Sequence, residues 1–525
     1  MTASSLSVVT PAEMRCCDAA AERSFGISGL QLMEQAGRAV TESIRWEVGA
    51  VVGKHVAICC GKGNNGGDGL VVARLCSGLG AVVTVVLAES ATKLKNDAKT
   101  NFAILKKMQR EKANSLRIVR YTSSAMRNVK NPDILVDALF GTGFVGIPQG
   151  SYKSAIRWMN KAGAPIVSVD IPSGINGTNG VAEGECVHAT RTVTLGLMKT
   201  GLLLNHGMEH SGKVEVADIG LPRSVVDGIR PQKVRATREA VASVLPVRSR
   251  QAHKYSVGKV FVLAGSRSFT GAAALCAQAV LRSGAGAALL TTPTSAHKIL
   301  SLKLAEVIVQ PLSETEEGSV SLEAIGTIKS KLDWCDVAII GPGLTQHTQT
   351  GDVVEALLKS TSKPLLLDAD ALNVVAGRGA AILKKSKSQI IITPHTGEFS
   401  RLTGVPTAEI ERNRVEVARD FASKYNVVVV LKGAPTVSAH PDGRIVFNST
   451  GNAGMATIGS GDVLAGAMGG LWAQSHDGFN AAFAAVFLHG LAGDLAKDQF
   501  GESGLVASDI LDRLALAIRQ VREVH

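Results

Sequence analysis

Aromatic side chains are scarce in this sequence: only 4% of its 525 residues are Phe, Trp or Tyr. Charged residues are few as well, 19% against 45% hydrophobic, a balance that excludes an intrinsically disordered chain. No apolar run reaches the roughly 18 uninterrupted residues of a membrane-spanning helix. The opening MTASSLSVVTPAEMRCCDAA lacks the apolar core of about 7–15 residues that a secretory signal needs. The eight cysteines contain no C-x-x-C pair, so nothing in their spacing points to zinc. The adjacent pairs Cys16–Cys17 and Cys59–Cys60 are expected as inert small hydrophobes on buried strands, in a reducing compartment. No repeat of about 20–50 residues recurs, which excludes a solenoid. The expectation is a soluble, cytoplasmic protein without membrane contact.

Glycine is plentiful. The 55 glycines exceed the usual share of about 7% and favour Ala/Val/Gly-rich α/β packing with many tight loops. At roughly 150 residues per domain, the length implies two to four domains. The net charge of +11 is uneven: residues 1–245 hold 29 Lys/Arg against 20 Asp/Glu, the remainder 27 against 25. A basic first half could attract a phosphorylated metabolite or nucleic acid. The basic residues are scattered and not interleaved with aromatics, which disfavours nucleic acid.

Strand-length runs rich in β-branched residues occur at Val56–Cys60, Val82–Leu87, Ile134–Leu139, Ile166–Ile171 and Thr192–Leu197. Helical patterns such as Ile27–Trp46 and Leu70–Leu79 lie between them, and the alternation implies a parallel sheet covered on both faces. Residues 223–244 lack a strand pattern and read as a connector with one short helix. A second series follows at Val260–Leu263, Ala288–Thr291, Val337–Ile340, Leu365–Leu367, Ile390–Ile392 and Val427–Leu431. A hairpin over Thr436–Ala439 and Ile445–Phe447 turns at Pro441-Asp442-Gly443. Helices are expected at Asp462–Gln474, Asn480–Lys497 and Ala507–Val521.

The densest signal in the first half is the run Gly61 to Gly69, GKGNNGGDG, between a strand and a helix. Its G-x-G-x-x-G fits a dinucleotide fingerprint, with Glu89 after the next strand. Asp68 resists that reading, because a charge in the first turn would repel a pyrophosphate. A plain glycine-rich turn capped by Asp68 is the bland alternative. Polar loops also follow the strands ending at Asp137 and at Asp170, namely GTGFVGI (Gly141–Ile147) and DIPSG. Either aspartate alone could be a cap. Together, at the carboxyl ends of parallel strands, they favour acid–base work or cation binding.

In the second half, NAGMATIGSGD (Asn452–Asp462) precedes an Ala/Gly-rich helix. Gly459-Ser460-Gly461 would aim unhindered backbone N–H groups at an anion, with Asp462 beside it as a base. Simple capping by Asp462 is the structural alternative. Further strand-end loops are Gly265-Ser266, Gly341-Pro342-Gly343, Asp368-Ala369-Asp370, Thr393-Pro394-His395 and Lys432-Gly433-Ala434-Pro435-Thr436. His206, His210 and His489 are read as non-functional.

These motifs carry a resemblance. NNGGDG, DALFGTG, VDIPSGINGTNG and TLGLMKTGLLL resemble the epimerase domain of the NAD(P)H-hydrate repair family. The second set resembles the nucleotide-dependent dehydratase domain of the same family. The resemblance implies a Rossmann-like, doubly wound α/β domain (1–222), a connector (223–244) and a ribokinase-like α/β domain (245–525). It implies epimerisation of R- and S-hydrated NADH or NADPH at nicotinamide C6, then dehydration of the S form with ADP or ATP.

Carried over by position, Asn64, Asn65, Gly66, Gly67, Asp68, Gly141, Thr142, Gly143, Phe144, Val145, Gly146 and Ile147 would contact the substrate, with Asp170 at the reacting carbon. Asn65, Asp137 and Ser173 would hold K+. Ala272, Gly343 and His395 would line the second substrate site. Lys432, Gly433, Ala434, Pro435 and Thr436, with Asn452, Ala453, Gly454, Met455, Ala456, Thr457, Gly459, Ser460 and Gly461, would bind nucleotide with Mg2+, and Asp462 would be catalytic. The resemblance also implies a homo-oligomer with small-molecule partners and no nucleic acid. Two departures stand out. Lys199 precedes Thr200 where the family usually has proline, so Lys199 is not taken as a site residue. Ile458 replaces a usual glycine, where a branched side chain could narrow the loop or forbid positive φ. The rival readings are a vitamin-precursor kinase joined to an NAD-dependent oxidoreductase, and a scaffold whose first half binds RNA or protein.

Overall fold

The computed structural model describes residues 7–111, 115–229 and 231–523. The chain divides into two compact units, Met1–Lys233 and Val234–His525. Among its described residues the first contains nine strands: β1 (Ser7–Val9), β2 (His55–Cys60), β3 (Val82–Leu87), β4 (Leu116–Arg120), β5 (Ile134–Ala138), β6 (Ile166–Val169), β7 (Arg191–Leu195), β8 (Met198–Lys199) and β9 (Lys213–Ala217). Seven form one parallel sheet in the order β4-β3-β2-β5-β6-β7-β9, while β1 pairs with β8.

The continuous apolar runs follow from burial on both faces. Val56, Ile58 and Cys60 of β2 point into one core with Leu70, Val72 and Leu105, whereas Ala57 and Cys59 point into another with Ile156 and Met159. A strand covered by helices on both sides has no position left for a polar side chain. The chain runs outward from β2 to β4 and then returns to β5 on the opposite side of β2. This reversal opens a crevice at the strands' carboxyl ends, where doubly wound sheets bind ligands. Cys59 and Cys60 lie buried on β2 as expected. Cys16 and Cys17 instead sit on the helix Pro11–Phe25, with Cys16 exposed.

The stretch read as a connector holds two short helices, Arg223–Gly228 and Arg238–Val244, around β10 (Lys233–Arg235). The second unit then contributes β11 (Lys259–Leu263), β12 (Ala287–Pro293), β13 (Ile308–Leu312), β14 (Val337–Ile340), β15 (Leu365–Leu367), β16 (Ile390–Ile392), β17 (Val428–Leu431), β18 (Val437–Ala439) and β19 (Ile445–Phe447). They follow the order β13-β12-β11-β14-β15-β16-β17-β18-β19. The sheet is parallel through β17 and antiparallel in the closing hairpin. Here the strand order reverses between β11 and β14, and Gly265 N donates to Pro342 O (2.8 Å) across that point.

The helix Ser460–Ser475 is buried along most of its length and packs on the helix Thr270–Arg282. By length and composition, Gly478–Phe500 is apolar enough to cross a membrane, but it is mostly buried as a core helix, packed against Ser460–Ser475 and Ala507–Arg522. Gly466 explains how closely the first pair meets: a Cβ there would lie 2.1 Å from Cys276 O and 2.7 Å from Ala279 Cβ. Gly466→Ala should therefore destabilise this unit by about 1–3 kcal/mol through overpacking. Urea unfolding followed by tryptophan fluorescence checks it, and an unchanged midpoint would contradict this account of the packing.

Candidate functional sites

In the first unit a cavity of about 580 Å3 opens at the carboxyl ends of β2, β5 and β6. Of the residues expected there, Asn64, Asn65, Asp68, Gly141, Thr142, Gly143, Phe144, Val145 and Asp170 line it; Gly66, Gly67, Gly146 and Ile147 do not. The glycines behind the wall have a packing role. A Cβ on Gly66 would stand 2.0 Å from Gly61 O, and one on Gly61 would stand 2.0 Å from Leu139 O. The helix Asn64–Gly78 can thus begin directly against the β2 and β5 loops. Its N-cap is Gly63, so Asp68 lies a turn inside and is no cap.

Asp68 is 7% exposed. Burial, followed by the charges of Asp170 and Asp18, pushes its carboxyl well above the ordinary range, against the pull of Lys199. That shift favours the uncharged form and so lessens the charge repulsion expected from the sequence. Asp170 adopts a positive φ of 70°, and its Oδ1 accepts from Leu195 N (3.3 Å) and Thr194 Oγ1 (3.4 Å).

Lys199 corrects the sequence reading. Its side chain is 1% exposed, lines the cavity, and pairs with Asp170 Oδ1 at 2.6 Å while also donating to Leu195 O. Asp18, absent from the expected set, lines the same cavity, and burial raises it to about 6 despite Lys199. Three carboxyls thus share one ammonium. In sequence Lys199 is one lysine among many; only its enclosure distinguishes it.

Asp137 and Ser173 lie beneath the cavity wall rather than on it. Asp137 is fully buried. Its carboxylate accepts from Ser173 N (2.8 Å), Ser173 Oγ (2.5 Å), Ser168 Oγ (2.9 Å) and Leu139 N (3.3 Å). Asn65 Nδ2 donates to Phe140 O at 2.8 Å, and Ser173 Oγ lies 3.4 Å from the same carbonyl. Asn65 and Ser173 thus meet at Phe140 O, and Ser173 links that carbonyl to Asp137.

In the second unit the loops after β15, β16 and β17 bring Asp368, His395, Glu398 and Lys432 together. Lys432 Nζ lies 2.8 Å from Asp368 Oδ1 and 3.9 Å from Glu398 Oε2. Thr393 Oγ1 donates to the same Asp368 oxygen (2.7 Å). The ammonium expected to face a nucleotide is thus held in a carboxylate cluster, which raises its pKa against burial. Asp368 and Glu398 were missed as site residues. His395 caps the helix Thr396–Thr403, its Nδ1 accepting from Gly397 N (3.0 Å), which leaves Nε2 protonated 3.5 Å from Glu398 Oε1. Glu398 is raised, first by burial and then by Asp368.

Asp462 stands in the first turn of the helix Ser460–Ser475. Burial first, then Asp368, lift its carboxyl to about 7, with Lys432 opposing. Lys432 Nζ also approaches this turn, 3.4 Å from where a Cβ on Gly461 would sit. The positive φ at the helix start belongs to Gly459 (92°) and not to Ile458, whose side chain is 98% exposed. The strain feared at Ile458 is therefore absent.

Ahead of that turn, Asp494 accepts from Gly451 N and Asn452 Nδ2 (2.9 Å each), and Asn452 Oδ1 accepts from Gly454 N (3.1 Å). Asn452 thus orders its own loop. Met455 packs against Gly493. Ala453 and Gly454 share its 3-10 turn, and Ala456 and Thr457 lead on to Gly459. Gly433 lies so close to the buried Arg414 that a Cβ would meet its guanidinium at 2.3 Å, and Ala434, Pro435 and Thr436 continue to β18. Ala272 and Gly343 face one another beside Phe269. His489, buried beneath the helix start, lies 3.4 Å from Ser460 Oγ, and burial lowers it to about 4.

Comparison with known proteins assigns both halves. Residues 29–201 match the family described as YjeF-related protein N-terminus, and residues 260–515 match NAD(P)H-hydrate dehydratase. The bifunctional NAD(P)H-hydrate repair enzyme Nnr of Moorella thermoacetica is 40% identical over 98% of this chain and 97% of its own. That of Thermofilum pendens is 38% identical over 99% and 97%. A solved ADP/ATP-dependent NAD(P)H-hydrate dehydratase from Bacillus subtilis, co-crystallised with ATP/Mg2+, is 32% identical over 54% of this chain and 97% of its own, at a TM-score of 0.47. With identity of this level sustained along its whole length, the chain belongs to the bifunctional NAD(P)H-hydrate repair enzymes.

Proposed function

We propose that the chain repairs hydrated NADH and NADPH at two separate sites: the first unit epimerises the C6 hydroxyl, and the second removes it from the S form at the expense of ADP or ATP. The carrying observation is Asp462, a carboxyl held near pH 7 at a glycine-started helix N-terminus. A base for a hydroxyl needs a pKa close to the working pH, and a helix N-terminus with open backbone N–H groups suits a transferring phosphate.

In the second unit Asp462 takes the proton of the C6 hydroxyl as that oxygen forms a bond to the terminal phosphorus and the nucleotide leaves. Phosphate is a better leaving group than hydroxide, so the C6–O bond then breaks with the electron pair departing on phosphate. A proton lost from the neighbouring ring carbon restores the double bond. The N–H group of Gly461 stabilises the phosphoryl charge, and the Asp368–Lys432 pair keeps Asp462 from acquiring a full partner. His395 Nε2–H is a donor available to the substrate. Mg2+ bound with the nucleotide would supply charge neutralisation to its phosphates.

In the first unit Asp170, paired with Lys199, and Asp68, whose carboxyl is raised by burial, supply a base and an acid on one cavity wall. Reversible protonation and departure of the C6 hydroxyl needs both. Asn65, Asp137, Ser173 and Phe140 O would hold K+, whose preference for hard oxygen ligands they fit; bound there, it would fix the loop that carries Gly141–Val145. An assembly of several copies, working in a reducing cytoplasm on small molecules alone, completes the proposal.

Incubation with hydrated NADH and either ADP or ATP should restore the near-ultraviolet absorbance of reduced nicotinamide. Turnover of a vitamin precursor instead would reject the proposal. Asp462→Asn should cut dehydration by about 10^3-fold and spare epimer exchange measured by chromatography; Asp170→Asn should do the reverse. Loss of both activities in each variant would show that the sites are not independent.

The pH dependence has a defined sign. Asp462 is raised, so its basic form is depleted below about pH 7, and dehydration kcat/KM should fall about tenfold per unit as pH drops below that point and level off above it. Lys199→Met should drive the Asp18 pKa further above about 6, because Lys199 is what holds it down. Carboxyl-carbon NMR titration reads that shift, and no upward movement would contradict the shared-ammonium account.

A further inference from the structure

Away from both sites, three metal-ligating side chains meet in the first unit. Cys186, His188 and His210 each offer one donor atom, and the three atoms lie within 4.8 Å of one another. They line a cavity of about 360 Å3 that shares no lining residue with the one holding Asp170. Cys186 is buried, His210 half-buried and His188 exposed.

The backbone around them is held firmly. Asn160 bridges the two ligands ahead of β7: its Nδ2 donates to Cys186 O (2.8 Å), and its Oδ1 accepts from His188 N (3.0 Å). Val187 N donates to Ser173 O (2.9 Å), and Ala189 N donates to His210 O (2.8 Å), which ties that segment to the helix Asn205–His210 ahead of β9. The His188 and His210 rings stack with centroids 4.2 Å apart at 14°. Burial, then the neighbouring His188, lowers His210.

We propose that Cys186, His188 and His210 form a zinc site with a fourth position open to water. One thiolate with two imidazoles is a donor set for zinc and unsuited to the hard cations K+ and Mg2+. Zinc bonds of about 2.0–2.3 Å place tetrahedral ligands about 3.5 Å apart, so the donors need close by only about 1 Å. The exposed His188 ring can turn to do so.

Two neighbouring groups already have partners. His206 Nδ1 accepts from Ala182 N (3.2 Å), so its Nε2 carries the proton, and Glu185 pairs with Arg157 at 2.8 Å. Ile147, at the end of the Gly141–Ile147 loop, lines the same cavity and lies against Gly184. A bound ion would therefore brace the back of the epimerase loop. On binding, the Cys186 thiol proton is released to solvent and the sulfur lone pair forms the bond to zinc.

The test uses the full chain without a histidine tag, stripped with chelator, desalted and re-equilibrated with Zn2+ alone, then with Co2+ as a spectroscopic probe. One tightly held zinc per chain by mass spectrometry, and a thiolate-to-cobalt charge-transfer band, are expected. His188→Ala, an exposed ring whose loss should not affect folding, should weaken zinc binding at least about tenfold. Cys186→Ser should abolish the cobalt band, and His206→Ala should leave both readouts unchanged. A stripped wild type that takes up no stoichiometric zinc overturns the proposal. So does cobalt bound without the thiolate band, or His188→Ala binding zinc as tightly as the parent.

Discussion

At each site more carboxyl groups gather than there are ammonium groups to neutralise them. Lys199 faces Asp170, Asp68 and Asp18; Lys432 faces Asp368, Glu398 and Asp462. Removing a carboxylate from water costs several kcal/mol unless an opposite charge repays it, and one ammonium repays that cost fully for one partner. The closest carboxyl in each cluster, Asp170 or Asp368, takes the ion pair. The remaining ones keep their protons to higher pH. Acid and base forms of the same residue type thereby coexist within one enclosed site, a condition for moving a hydroxyl's proton at neutral pH.

That arrangement demands backbone that can approach closely. The carboxyls sit at strand ends where loops from neighbouring strands must pass within van der Waals contact, and side chains there would separate them. Gly61 and Gly66 let the β2 loop and the following helix touch the β5 loop, and Gly466 lets Asp462's helix seat against Thr270–Arg282. The abundance of glycine and the scarcity of aromatics are thus two sides of one constraint. Small residues bring polar loops close enough to share charge, while alanine and valine fill the two faces of each sheet.

Much of this was legible in the residues. Strands covered on both faces announce themselves as unbroken β-branched runs, and β2, β3, β14, β15 and β16 fall within a residue of where those runs place them. The edge strands β4 and β13 were missed because they are half exposed: Leu116–Arg120 and Ile308–Leu312 interleave polar with apolar side chains, which blurs the run. Asp170 and Asp462 were visible because glycine-rich loops mark their positions. Lys199, Asp18, Asp368 and Glu398 were not taken as site residues, since their importance comes from burial and from neighbours distant in sequence. Lys199 and Asp170 are 29 positions apart, and Lys432 and Asp368 are 64.

Ile458 shows the same limit from the other side. Judged by sequence, a β-branched residue beside Gly459 threatens the loop, because positive φ is costly for it. The structure assigns that conformation to Gly459 alone and leaves the isoleucine side chain in solvent. What the loop requires is one residue without a Cβ at the point where the chain turns into the helix. There a Cβ would strike Leu275 at 2.6 Å, so space and dihedral angle impose glycine at the same position. The neighbouring position carries neither demand. The N–H group of Gly461 can therefore keep its aim with isoleucine in place, and the geometry around Asp462 does not depend on it.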